Sequence, residues 1–177
     1  MMVMSAAASS PYLLPIRDLV GKPGQSRAFD LDLMAPAELG VRLVGVPEGD
    51  PVHVSGLAES VHEGILVSGE AAATAVGECG RCLGAVEIPL EVEFQELFAY
   101  SVGEAFDFCI EDDCVDLEQV IRDAVVLALP FQPVCREDCP GLCPECGARL
   151  ADDPAHSHGQ RIDPRWSALD QVRFETE

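Results

Sequence analysis

Alternation of apolar and polar positions dominates this chain. Phe29, Leu31 and Leu33 alternate with Asp30 and Asp32, the period-two pattern of a half-buried strand. Val52 and Val54 flank His53, the pattern runs on from Gly56 to Ser60, and Glu63-Gly64 reads as a hairpin turn into a long strand over Ile65 to Val76. The clearest strand is Val86 to Phe94. Its even positions are all apolar, while Glu87, Glu91 and Glu93 share the other face. Pro89 has no N–H to give a central ladder, so it belongs at an edge or with its nitrogen facing solvent. Between Met34 and Asp50 the pattern is weaker and predicts a short helix or loop followed by a strand near Val41 to Val46.

The period changes once. Leu117, Val120, Ile121, Ala124, Val125 and Ala128 recur at helical spacing, and Asp116-Leu117-Glu118-Gln119 before them resembles a capping box with Asp116 as N-cap. Pro130 and Pro133 end that helix. At the other end of the chain, Ser9 to Val20 carries two prolines that forbid regular structure, yet is apolar enough to predict an arm docked on the core. The expected fold is α+β: a mainly antiparallel β-sheet, with barrel-like closure left open, one principal helix and a C-terminal zinc-binding tail. The expected divisions are a docking arm over 1–24, a core domain over 25–134 and a cysteine-rich module over 135–177.

Charge narrows the function. The 177 residues carry a formal net charge of −20, with Lys22 the single lysine, and no basic residue separates Arg81 from Arg122. Such a field repels phosphate backbones and attracts cationic partners. The arginines of the tail, Arg136, Arg149, Arg161, Arg165 and Arg173, are a local exception, with Trp166 as a stacking surface, and keep RNA contact open as an alternative. The start of the chain lacks the pattern of a signal peptide and the longest apolar stretch is too short to span a bilayer, so a cytoplasmic location is expected.

The cysteines carry the chemistry. Cys135, Cys139, Cys143 and Cys146 fall at spacings of three, three and two residues, with Pro140, Gly141, Pro144 and Gly147 supplying the turns. Four thiolates so placed suit one tetrahedral ion, and zinc bound by these four is the expected site. In a reducing compartment, thiols crowded into one segment favour metal over disulfides. Cys79-Gly80-Arg81-Cys82 has three readings: a redox pair, a second half-site for metal, or a hairpin with buried thiols. Redox catalysis needs the pair at a helix N-terminus, and here a strand follows. If the pair did reach the C-terminal thiols, two of those would complete its ion and the others would need different partners. His156 and His158 either replace one or two of those sulfurs, since neutral imidazole ligates zinc, or are exposed loop histidines. Cys109 and Cys114 are expected to be incidental thiols, and His53 and His62 to have no acid or thiol partner.

Glu78-Cys79-Gly80-Arg81-Cys82-Leu83, the helix leading to Leu127-Ala128-Leu129-Pro130, the run Cys135 to Gly147 and then Ile162-Asp163-Pro164-Arg165-Trp166-Ser167-Ala168-Leu169 follow one another as in the YceD family, the large ribosomal RNA subunit accumulation proteins. The resemblance extends from about Val52 onward, and the N-terminal Pro-Tyr-Leu-Leu-Pro-Ile-Arg-Asp-Leu arm resembles that of high-GC Gram-positive members. One departure is His156-Ser157-His158, where many relatives have Cys-x-Cys. The resemblance implies a part in ribosome assembly. Joined to the charge, it predicts a noncatalytic factor whose acidic surface binds a basic ribosomal protein or the pre-ribosomal large subunit. An rRNA-maturation enzyme is the contrasting reading, but the sequence shows no phosphate loop and no recognisable nucleophile and base, and a closed four-thiolate ion leaves no position for water.

Overall fold

The computed structural model describes residues 10–101 and 107–158. The strands are β1 (Leu13–Pro15), β2 (Ser26–Met34), β3 (Leu39–Val41), β4 (Val44–Val46), β5 (Pro51–Ser60), β6 (Gly64–Glu78), β7 (Ala85–Ala99), β8 (Phe108–Cys109) and β9 (Cys114–Asp116), followed by the helix α1 (Glu118–Ala128). Seven of these strands form a curled, half-barrel sheet that is antiparallel except where β8 runs parallel to the end of β7. Its spine is β6, which pairs with β7 along one edge and with β5 and then β4 along the other. The α+β reading of the sequence describes this architecture.

The alternation seen in the sequence becomes the two faces of the sheet. Phe29 and Leu33 of β2, Val52 and Val54 of β5, Ile65 and Val67 of β6, and Leu90, Val92 and Phe94 of β7 are buried in one core. In its middle, four strands contribute a row in register, Phe29, Gly56, Gly69 and Phe94. A Cβ on Gly56 would stand 2.8 Å from the Phe29 ring, and one on Gly69 would stand 3.0 Å from the Phe94 ring. The two glycines thus leave room for the flanking rings.

The arm packs as its apolar density predicts. Tyr12, Leu14, Ile16 and Leu19 are buried, β1 pairs with β9, and the Tyr12 hydroxyl donates to the Met34 carbonyl at 2.9 Å. Between β2 and β5 the expected helix or loop is instead strand β3, which forms a hairpin with β4, the latter lying within the strand expected near Val41 to Val46. For α1, Val120, Ile121 and Val125 face the core, but the capping box does not form. Leu117 occupies the cap position, and Asp116, spent as the last residue of β9, accepts only the Glu118 N–H, at 3.0 Å. The Gln119 side-chain amide donates instead to Asp123 Oδ1, at 2.8 Å, so the reciprocal half of the box is not made. Among the described residues no helix is long and apolar enough to cross a membrane.

Candidate metal centres and an acidic sheet face

The turn between β6 and β7 is the knuckle Cys79 to Cys82. Its geometry is set by backbone bonds from the Cys79 N–H to the Gly84 carbonyl, 2.7 Å, and from the Leu83 N–H to the Cys79 carbonyl, 2.9 Å. The segment after α1 runs directly across it. Gly80 donates to the Pro133 carbonyl at 2.8 Å, and Leu142 donates to the Arg81 carbonyl at 3.1 Å. The Arg81 guanidinium in turn donates to the carbonyls of Glu137 and Cys139, at 2.8 and 3.2 Å. Gly141, at φ +79°, lies against this knuckle; a Cβ there would come 3.1 Å from the Arg81 carbonyl. Hairpin and tail are therefore laced together by main chain and one arginine, and the lacing brings sulfur to sulfur.

The four C-terminal thiols do not meet at one point. Cys135 and Cys139 close on Cys79 and Cys82, whereas Cys143 and Cys146 close on His156 and His158; in each group all four ligand atoms lie within 4.8 Å of one another. The grouping of Cys135, Cys139, Cys143 and Cys146 about a single ion, expected from their spacing, is corrected by this division. Spacing shows which residues can be neighbours but not which distant turn lies opposite. The turn opposite is the Cys79–Cys82 knuckle, more than fifty residues earlier in the chain, the half-site that the sequence left open. Cys109 and Cys114 belong to neither group. Arg161, Arg165, Trp166 and Arg173 lie outside the described residues.

In the first group the Sγ atoms of Cys79 and Cys139 are 3.9 Å apart and those of Cys82 and Cys135 are 3.8 Å apart. Thiolates each about 2.3 Å from a tetrahedral ion would stand about 3.8 Å from one another. The residues present fit such an ion. Cys79, Cys82 and Cys139 are buried, with Val86 against them and Ile88, Val134 and Leu142 packed around the cluster. The main-chain N–H groups of Cys135, Cys82 and Arg81 hold the Cys79 thiol down at about 6. Cys135 is pushed the other way, to about 12, chiefly by the adjoining Cys139 thiol. Crowded sulfurs cannot all ionise against one another, and a divalent cation is the group that relieves this by displacing their protons. In the second group the amides of Cys146 and Glu145 hold Cys143 at about 6, the same role that turn amides play at Cys79.

The outer face of the sheet is acidic by register. Asp30, Ser55, Glu70 and Glu93 form one cross-strand row, and Asp32, His53, Ala72 and Glu91 form the next. Glu70 and Glu93, both exposed, stand directly opposite each other with no cation between them in the row. His53 has partners that the linear sequence hid. Its Nδ1 lies 3.0 Å from Asp32 Oδ1 and its Nε2 lies 3.7 Å from Asp30 Oδ2, so the expectation that it has no acid partner is corrected. The hydrogen bond to Asp32 and the charge of Asp30 raise its pKa above the ordinary histidine value. The edge position that Pro89 left open agrees with the ladder, since β7 pairs on its free side only at Phe98 and Ala99.

The model of the family described as large ribosomal RNA subunit accumulation protein YceD matches residues 67–173. The chain belongs to the YceD family. That match takes in β6 from Val67 onward, the Cys79–Cys82 knuckle and both ligand groups. An uncharacterized protein of Mycobacterium tuberculosis is 44% identical over 168 residues, covering 91% of this chain and 81% of the relative. One of Mycobacterium leprae is 42% identical over 168 residues, covering 90% and 76%. The uncharacterized protein YlbN of Bacillus subtilis is 27% identical over 131 residues, covering 69% of this chain and 74% of its own. No solved structure matches the chain.

Proposed function

We propose that this YceD-family protein is a noncatalytic ribosome-assembly factor of the cytoplasm, and that it supports accumulation of large-subunit rRNA by binding a basic ribosomal protein, free or on the pre-ribosomal large subunit. The observation that carries the reading is the outer sheet face. Glu70 opposite Glu93 is a like-charge pair that costs the fold stability, and a basic partner would turn that repulsion into attraction. Glu91 extends the field on β7, and Asp30 and Asp32 extend it on β2. Ribosomal proteins must be kept from nonspecific contact with RNA before assembly, and a carboxylate-rich sheet competes for the same lysines and arginines.

The ion in the four-thiol group is, on this reading, zinc in a structural role. Four sulfurs around a tetrahedral ion leave no position for a water molecule, so the centre would hold the tail rather than perform hydrolysis. Tagged protein incubated with ribosome-rich lysate tests the reading. A basic ribosomal protein should remain bound after nuclease digestion and be lost when Glu70, Glu91 and Glu93 are changed together to Gln. Binding that nuclease abolishes while the Gln variant retains it would overturn the acidic-face reading in favour of RNA contact through the tail, where Arg136 and Arg149 are exposed.

A further inference from the structure

We propose that the chain carries a second divalent transition-metal site, formed by Cys143, Cys146, His156 and His158, which fills and empties independently of the four-thiol centre. Three donor atoms converge there: Cys146 Sγ is 3.2 Å from His156 Nε2 and 3.3 Å from His158 Nε2, and the two Nε2 atoms are 3.0 Å apart. A single shared proton can bridge one pair of these atoms and leaves the third facing another lone pair. A cation satisfies all of them. The rings lie nearly perpendicular, at 81° with centroids 4.7 Å apart, and so point both Nε2 atoms at one place without stacking.

The outer contacts are those of a ligated histidine. His158 Nδ1 faces Glu145 Oε2 at 3.6 Å, which leaves Nε2 to the ion. The turn that returns the imidazoles to the knuckle is fixed by Asp153, whose carbonyl accepts the His156 N–H at 3.0 Å and whose carboxylate accepts the Ala155 N–H at 3.2 Å. No apolar burial accounts for this fold. From Pro144 to His158 every residue except Leu150 and His156 is exposed, so the segment has no core of its own. A metal is what supplies folding free energy to a segment of this kind. Two thiolates with two imidazoles in a tetrahedral set select zinc-like divalent ions over the hard oxygen-seeking cations. No ligand is common to the two groups.

Elemental analysis of the full chain, purified under reducing conditions and loaded with zinc, tests the stoichiometry. Two ions per chain are expected, falling to one in the double variant His156→Ala, His158→Ala. Cobalt substitution identifies the ligands, because that variant should retain only the absorption of a four-thiolate site. In a time course with a chromogenic chelator, wild-type protein should release its exposed ion in a fast phase that the double variant lacks. One ion in the wild type that survives the double substitution would overturn the proposal, as would loss of both ions together. Neither outcome depends on the ribosomal partner, so failure here is separable from failure of the assembly reading.

Discussion

His53 stands among carboxylates. Its ring is half exposed between Asp30 and Asp32, and the hydrogen bond to Asp32 is the larger cause of its raised pKa. A histidine whose folded pKa exceeds its unfolded value, about 6.5, stabilises the fold fully below that value, and the contribution fades as pH rises through the folded pKa. Titration of the His53 ring protons by NMR should give a pKa above 6.5, falling toward it in Asp32→Asn and with added salt, because these charges lie at the surface. A pKa at or below 6.5 in the wild type would contradict the geometry. Nothing in the order of residues signals this pair, since Asp32 and His53 are brought opposite only by the β2–β5 register.

At the scale of elements, β7 has one apolar and one acidic face. Its inward face is the apolar series Val86, Leu90, Val92 and Phe94, and its outward face is the acidic series Glu87, Glu91 and Glu93. Glu93→Lys replaces a repulsive pair with an attractive one opposite Glu70, and cross-strand pairs of this kind are worth about 0.2–1 kcal/mol. Denaturant titration should show a more stable variant, whereas capture of the basic ribosomal protein should weaken. A variant that loses stability would mean that Glu70 and Glu93 are not opposed as described. The strands of this sheet were legible because a two-residue period and a buried face leave little freedom of register. The β3–β4 hairpin was less so: Pro, Gly and Glu dilute its pattern, and Leu39, Val44 and Val46 are buried by contacts that no local rule supplies. The capping box of α1 fails because the Gln119 side chain pairs with Asp123, one turn on, rather than with Asp116.

For the molecule as a whole, the four-thiol group joins the β6–β7 turn to the tail, two parts of unequal self-sufficiency. The sheet, arm and helix share one large core, while the tail contributes only a small cluster around Cys139. Structural zinc sites contribute about 10–16 kcal/mol of apparent binding free energy in small zinc peptides. Removing metal with a strong chelator under reducing conditions should therefore expose the chain beyond Pro133 to limited proteolysis, with the sheet fragment remaining resistant and keeping its strand circular dichroism. Cleavage spread evenly through the sheet would show that the metal holds the whole fold, and a tail still resistant without metal would show that hydrogen bonds such as those of Arg81 suffice.

The sequence by itself determined the alternating strands, the single helical stripe, the excess of acid and the stock of thiols and imidazoles, because each of these is a property of residue type and local period. Only the tertiary structure decided which sulfurs share a centre, that His53 faces Asp32, and that Glu70 meets Glu93. Those are contacts across strand register or between turns far apart in the chain, and loop closure leaves no periodic trace in the residues it brings together.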